Sequence, residues 1–94
     1  MKVTQTPTFL RKSKKLRQRE HRLLEDGVRE IFENPHIGGL KKGDLGSIRV
    51  HKIRDGGREF LIAYRNPRKS LIELVDFGVH ENFYRDLKRR EKRN

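Results

Sequence analysis

Four histidines, at positions 21, 36, 51 and 80, are the side chains of this chain best suited to proton transfer near neutral pH, because an unperturbed imidazole titrates near about 6.5. None is three or four residues from another, and the sequence has no cysteine. A zinc site therefore has no ligand spacing to support it, and no metal or other cofactor is expected. Ser13, Ser47 and Ser70 lack the glycine-flanked turn of a nucleophile elbow. Gly38-Gly39 and Gly56-Gly57 match neither a phosphate loop nor a dinucleotide fingerprint and read as turns. Two imidazoles among many cations suit a different chemistry, the metal-free cleavage of RNA. One ring takes the proton of a ribose 2′-hydroxyl, a second protonates the leaving 5′-oxygen, and cations steady the phosphorane charge. The expected products are a 2′,3′-cyclic phosphate and a 5′-hydroxyl, and DNA is spared because it lacks the 2′-hydroxyl.

The elements that must position these groups follow from the period of the apolar residues. Lys2 to Thr6 alternates as a short strand, and Pro7 turns the chain into a helix with Thr8 as the expected N-cap. Phe9, Ser13 and Leu16, then Leu24, Val28, Ile31 and Phe32, keep helical spacing over residues 8–33. A bend near Arg17 to His21 folds this run into a helical hairpin that ends at Asn34-Pro35. Residues 36–46 carry four glycines and read as a loop.

Beyond the loop the period becomes two. Ile48 and Val50 alternate with Arg49 and His51, Asp55-Gly56-Gly57 marks a turn, Phe60 to Tyr64 is apolar throughout, and a turn at Asn66-Pro67 precedes Leu71 to Phe77. The reading is an α+β fold: an N-terminal strand, a helical hairpin, a three-stranded antiparallel meander and a C-terminal helix. The doubly apolar middle strand is central and the hairpin covers one sheet face. If Ile48 and Val50 face the core, Arg49 and His51 face the uncovered side. There they would meet His80, which follows the last strand. Phe83 is expected to be buried with Leu87, leaving Tyr84 for substrate.

Composition sets the partner. The chain has 94 residues, enough for one domain spanning 1–94, with 88–94 as a basic tail. Only 32% of residues are hydrophobic and 39% are charged, with a net charge of +11, so the core is thin and a polyanion is the expected partner. Residues 1–22 hold eight basic residues against the single acid Glu20. Such a surface contacts backbone phosphates without choosing a sequence. Met1 to Leu10 has no apolar run of signal-peptide length and no run of 18 apolar residues occurs, so the chain is read as soluble and cytoplasmic, with no membrane partner.

Several stretches carry a family resemblance: Asn34-Pro35 to Leu45, Ile48 to Lys52, Leu61 to Arg65, and above all Gly78-Val79-His80-Glu81-Asn82-Phe83-Tyr84-Arg85-Asp86-Leu87-Lys88. Together they resemble the RelE/ParE toxin superfamily over nearly the whole chain, most closely its RelE-like branch. The resemblance implies a RelE-like microbial RNase fold and the toxin of a type II toxin–antitoxin module. Such a toxin is a ribosome-dependent mRNA endoribonuclease that inhibits translation and forms a hetero-oligomer with its antitoxin. It also implies that His80 sits at the family's C-terminal catalytic position and that Tyr84 holds the mRNA. His51 matches a strand histidine of YafQ-like members, and Arg49 stands where RelE has a lysine. Leu61 replaces the family's strand arginine, which leaves the phosphate to other cations: Lys52, Arg54, Arg58, Arg65, Arg85 and Lys88, besides Arg49. The expected catalytic set is His51, His80, Tyr84 and Arg49, with the choice of base between the two histidines left open. The Leu61 departure keeps a ParE-type inhibitor of DNA gyrase, acting without catalysis, as the alternative. A plain RNA-binding module is a third reading.

Overall fold

A computed structural model describes residues 2–41, 47–78 and 87. In chain order the elements are β1 (Lys2–Gln5), α1 (Pro7–Ser13), α2 (Gln18–Glu33), β2 (Gly39–Leu40), β3 (Arg49–Asp55), β4 (Arg58–Arg68) and β5 (Leu71–Gly78). The five strands form one mixed sheet in the order β1-β5-β4-β3-β2, in which only β1 and β5 are parallel. The α+β architecture, the N-terminal strand, the helical hairpin, the meander and the central place of β4 are as the sequence indicates. Leu87 is helical, but the rest of the C-terminal helix, including Phe83, lies outside the described residues.

Local chemistry accounts for the turns. Asp55 pairs with Arg58 across a two-residue loop, and Gly56 takes φ +63°, a region open to glycine at little cost. The second turn lies later than Asn66-Pro67 suggests. β4 continues to Arg68, and the register slips between Arg65 and Arg68, so the pair falls in an irregularity of the strand. Pairing with β3 has already ended at Tyr64, so the missing N–H of Pro67 costs that ladder nothing. The Asn66 side-chain amide then closes the turn by donating to the carbonyls of Arg68 (2.7 Å) and Leu71 (2.8 Å).

The N-cap of α1 is Thr6 rather than Thr8. Its Oγ1 accepts from the Phe9 N–H at 3.1 Å, and Pro7 fills the first helical position, where its fixed φ fits and no donor is lost. The helical run breaks at residues 14–17, slightly before the expected bend. α2 turns Leu24, Gly27, Val28 and Ile31 toward the sheet at i, i+3, i+4 and i+7. Gly27 allows the close approach: a Cβ there would collide with the tips of Ile53 and Ile62.

Both sheet faces are apolar. On the helix side, Phe9, Leu24 and Ile31 pack on Phe60, Ile62, Tyr64, Ile72, Leu74 and Phe77. On the other side, Ile48, Val50, Leu61, Ala63 and Val75 form a second cluster, over which Leu87 is fully buried. The second cluster reverses an expectation about β3. His51 pairs with Ile62 and Arg49 with Tyr64, so both belong to the helix-covered face, and Lys52 and Arg54 share the opposite face with Val50 and Leu61. The expected placement assumed that Ile48 and Val50 face the helices. In this fold they face the second cluster, and Ile53 is the apolar residue of β3 that packs on the helix side.

Candidate functional site

The face opposite the helices is buried where Val50, Leu61, Ala63 and Val75 pack around Leu87, and it opens along β3 beyond Val50, where the cations lie. Lys52 and Arg54 alternate with His51 and Ile53 and are exposed. Among the described residues Arg54 has only a long contact to Glu59, 3.7 Å, with its own side chain 82% exposed, a geometry in which an ion pair adds little. Lys52 has no carboxylate within 4 Å among the described residues. It stands opposite Leu61 on β4, and Leu61 stands opposite Gly78, the last residue of β5. Two strand spacings, about 9–10 Å, thus separate the Lys52 backbone from the point where the chain leaves the sheet toward His80. Arg58 is exposed at the hairpin tip. Arg65 is half-buried and donates to Glu73 at 3.0 Å.

The remaining strand residues of the expected set are engaged in the fold. His51 is nearly buried, and its Nε2 lies 3.0 Å from Glu30 Oε1 on α2. This contact joins α2 to β3. Arg49 donates from a terminal guanidinium nitrogen to the Gly38 carbonyl at 2.9 Å. The same glycine donates its N–H to the Tyr64 hydroxyl (3.0 Å), which in turn donates to the Pro35 carbonyl (2.7 Å). Tyr64 thereby ties the end of α2 to the strand that follows it. Burial raises the Tyr64 pKa above its usual 10.0, while the Gly38 N–H and the nearby Arg49 charge act the other way. His80, Tyr84, Arg85 and Lys88 lie outside the described residues.

A second buried contact supports the end of β5. β1 stops at Gln5, so residues 75–77 of β5 have no strand partner on that edge. α1 takes its place. Thr6 Oγ1 donates to the Val75 carbonyl at 2.6 Å, and Lys12 Nζ donates to Asp76 Oδ1 at 2.8 Å and to the Phe77 carbonyl at 3.2 Å. The Asp76 side chain is 1% exposed and also accepts from the Phe77 N–H at 2.8 Å. Lys12 is therefore not part of the free basic surface that its position in the N-terminal run suggests. Among the described residues no three His, Asp or Glu side chains could hold a metal ion.

Three groups that tie the elements around the site together carry little sign of it in the sequence: Glu30, Tyr64 and Asp76. Glu30 looks like any solvent-face acid of α2, and Tyr64 closes an apolar run. Asp76 had a signal, since it is an acid inside the otherwise apolar stretch Leu74 to Phe77.

The family model of the ParE-like toxins of type II bacterial toxin–antitoxin systems matches residues 3–88. The chain belongs to this family. It is a type II toxin of the RelE/ParE superfamily. Among solved structures, the toxin resembles the intact E. coli RelBE toxin–antitoxin complex, with TM-score 0.66 and 20% identity over 84% of this chain and 95% of that one. It also resembles the isolated E. coli RelE toxin, with TM-score 0.65 and 19% identity over 94% and 95% of the two chains. At this identity the likeness speaks for the fold. A search of curated proteins finds no match. No helix among the described residues is long and apolar enough to cross a membrane.

Proposed function

We propose that this toxin is a ribosome-dependent mRNA endoribonuclease that cuts by metal-free acid–base chemistry on the open sheet face, at the end of β5. The observation that carries this reading is the register Lys52–Leu61–Gly78, which brings an exposed cation of β3 level with the exit of the chain toward His80. His80 follows Gly78 by two residues, at most about 7 Å of extended chain. In this reading the His80 imidazole moves a proton of the ribose 2′-hydroxyl or of the leaving 5′-oxygen. Lys52 and Arg54, with Arg85, Arg65 and Lys88 as further cations, bind the phosphate and stabilise its developing charge, whereas Arg58 stands apart at the hairpin tip. Tyr84 holds the substrate.

His51 and Arg49 take different parts from those their sequence positions imply. Their side chains lie on the helix-covered face and are hydrogen-bonded there, so we assign them to holding α2 and the 35–40 segment against β3. The partners of the toxin are then mRNA on the ribosome and an acidic antitoxin laid over the cationic surface, as RelE has its antitoxin in the RelBE complex. Its place of action is the cytoplasm, where ribosomes are.

The turn of His51 away from the open face also favours a second reading, because it leaves one imidazole fewer for chemistry. In that reading the toxin is a ParE-type inhibitor that binds DNA gyrase and cuts nothing. Purified toxin added to programmed ribosomes separates the two: we expect mRNA cleavage that His80→Ala reduces by about 10²-fold or more, the usual scale for a general acid or base. Intact mRNA together with blocked gyrase supercoiling would establish the second reading instead.

A further inference from the structure

β5 is held differently along its two edges, and the difference falls where the chain leaves the sheet toward His80. On one edge its last three residues are all paired with β4: Asp76 with Ala63, Phe77 with Ile62 and Gly78 with Leu61. On the other edge β1 pairs with Leu71 to Leu74 and then stops, and side chains of Thr6 and α1 stand in for a strand. Lys12 Nζ donates to Asp76 Oδ1 (2.8 Å) and to the Phe77 carbonyl (3.2 Å), while the same Asp76 oxygen accepts from the Phe77 N–H (2.8 Å). One ion pair thus holds both backbone polar groups of Phe77. A peptide unit is planar, so holding the Phe77 carbonyl also orients the Gly78 nitrogen and sets the direction in which the chain goes on. From that carbonyl to His80 is three residues, at most about 11 Å of extended chain.

Stability alone does not account for charges in this place. The Asp76 side chain is 1% exposed, and one helical turn before Lys12 the Phe9 ring meets the Phe77 ring edge to face at 5.1 Å. Burying a charge beside such a core costs about as much as its attraction to a partner returns, so apolar residues of similar size would hold α1 on β5 as well or better. What they would lack is direction, because they give the Phe77 carbonyl and N–H no fixed partners. A reacting group displaced by about 1 Å can lose about 10²-fold in rate. A device that fixes direction three residues from an imidazole therefore matters more to a reaction than to the fold.

We infer that Lys12 and Asp76 are positioning residues for His80, an inference that rests on the nuclease reading above: their ion pair fixes the Phe77–Gly78 peptide and with it the point from which the chain carries the imidazole to the phosphodiester. The pair acts through the backbone and needs no contact with substrate. The test is K12M/D76N, which removes one charge of each sign and so leaves the net charge, and the long-range attraction to RNA, unchanged. Methionine keeps the apolar stem of Lys12, and an amide in place of the Asp76 carboxylate still accepts from the Phe77 N–H. Single-turnover cleavage of ribosome-bound mRNA, normalised to folded protein, is measured over a range of ribosome concentrations in the wild-type and His80→Ala backgrounds, beside thermal melting.

The double variant is expected to lose about tenfold to a hundredfold in rate at saturating ribosomes, with half-saturation within about threefold of wild type. Its melting temperature should stay within about 8 °C of wild type. In the His80→Ala background the same change should cost less than about threefold more, since nothing is left to position. K12R, for which the 39% exposed Lys12 side chain leaves room, should keep the pair and restore the rate to within about threefold of wild type. A full rate in K12M/D76N, an equal loss in both backgrounds, a loss confined to half-saturation, or a K12R as slow as the double variant would overturn the inference. So would a double variant that does not fold, which would make the pair a structural tie. A wild type that cuts mRNA through His80 while K12M/D76N cuts equally well refutes this inference alone, whereas a wild type that cuts nothing refutes the nuclease reading and this inference with it.

Discussion

The two faces of the sheet are built from the same apolar residue types but do different work. On the helix side, α1 and α2 seal Ile62, Tyr64, Ile72 and Phe77, and each polar group that enters, His51, Arg49 or the Tyr64 hydroxyl, has a partner in the fold. On the other side, a smaller apolar floor of Leu61, Ala63 and Val75 lies under Leu87, with Lys52 and Arg54 exposed on β3 beside it. Polar groups that already have partners serve stability. Cations exposed on an ordered strand, with no carboxylate near Lys52 among the described residues and a long contact from Glu59 to Arg54, are available to a ligand. The position of a charged residue on a strand therefore says less than the face it shares.

This contrast can be broken by mutation, and the largest effect belongs to the sealed face. Ile62→Ala leaves a cavity beneath α2 and should cost about 2–5 kcal/mol in urea unfolding followed by circular dichroism. Tyr64→Phe strands the Gly38 N–H and the Pro35 carbonyl, and should cost about 1–3 kcal/mol in the same assay. Tyr64 also sets a pH dependence. Its hydroxyl titrates higher in the folded than in the unfolded chain, so its contribution is complete below about pH 10 and is lost as pH rises through the higher folded value. Between pH 9 and 11 the melting temperature of the wild type should fall more than that of Tyr64→Phe, and parallel curves would contradict the burial of this ring.

Smaller effects sharpen the comparison. His51→Asn removes the link to Glu30 and should lower stability by about 1 kcal/mol, read from the urea midpoint. Lys52→Gln, on the open face, should change the same midpoint by less than about 0.5 kcal/mol. A larger cost at Lys52 than at His51 would mean that the division of labour between the faces is wrong.

The sequence made most of the architecture legible because its period changes from helical to alternating near Ile48, and because turn residues bracket each strand. It misled at particular places for physical reasons. Pro7 fits the first helical position so well that the cap moved back to Thr6. Pro67 was tolerated inside β4 because β3 no longer pairs there. The facing of β3 was not legible, because alternation gives two sets of residues without saying which set meets the helices, and here both faces of β4 are apolar. The ties of Lys12 to Asp76 and of Arg49 to Gly38 span 64 and 11 residues and leave no local pattern.

The account rests on the chemistry lying with Lys52 on the open face and not with His51 beneath the helix. Single-turnover cleavage of ribosome-bound mRNA by the wild type, Lys52→Gln and His51→Asn, each normalised to folded protein, tests this directly. We expect Lys52→Gln to lose about tenfold to a hundredfold in rate, the loss of one charged contact to the reacting phosphate, and His51→Asn to stay within about threefold of wild type. A His51→Asn rate that collapses while Lys52→Gln cuts normally would contradict it.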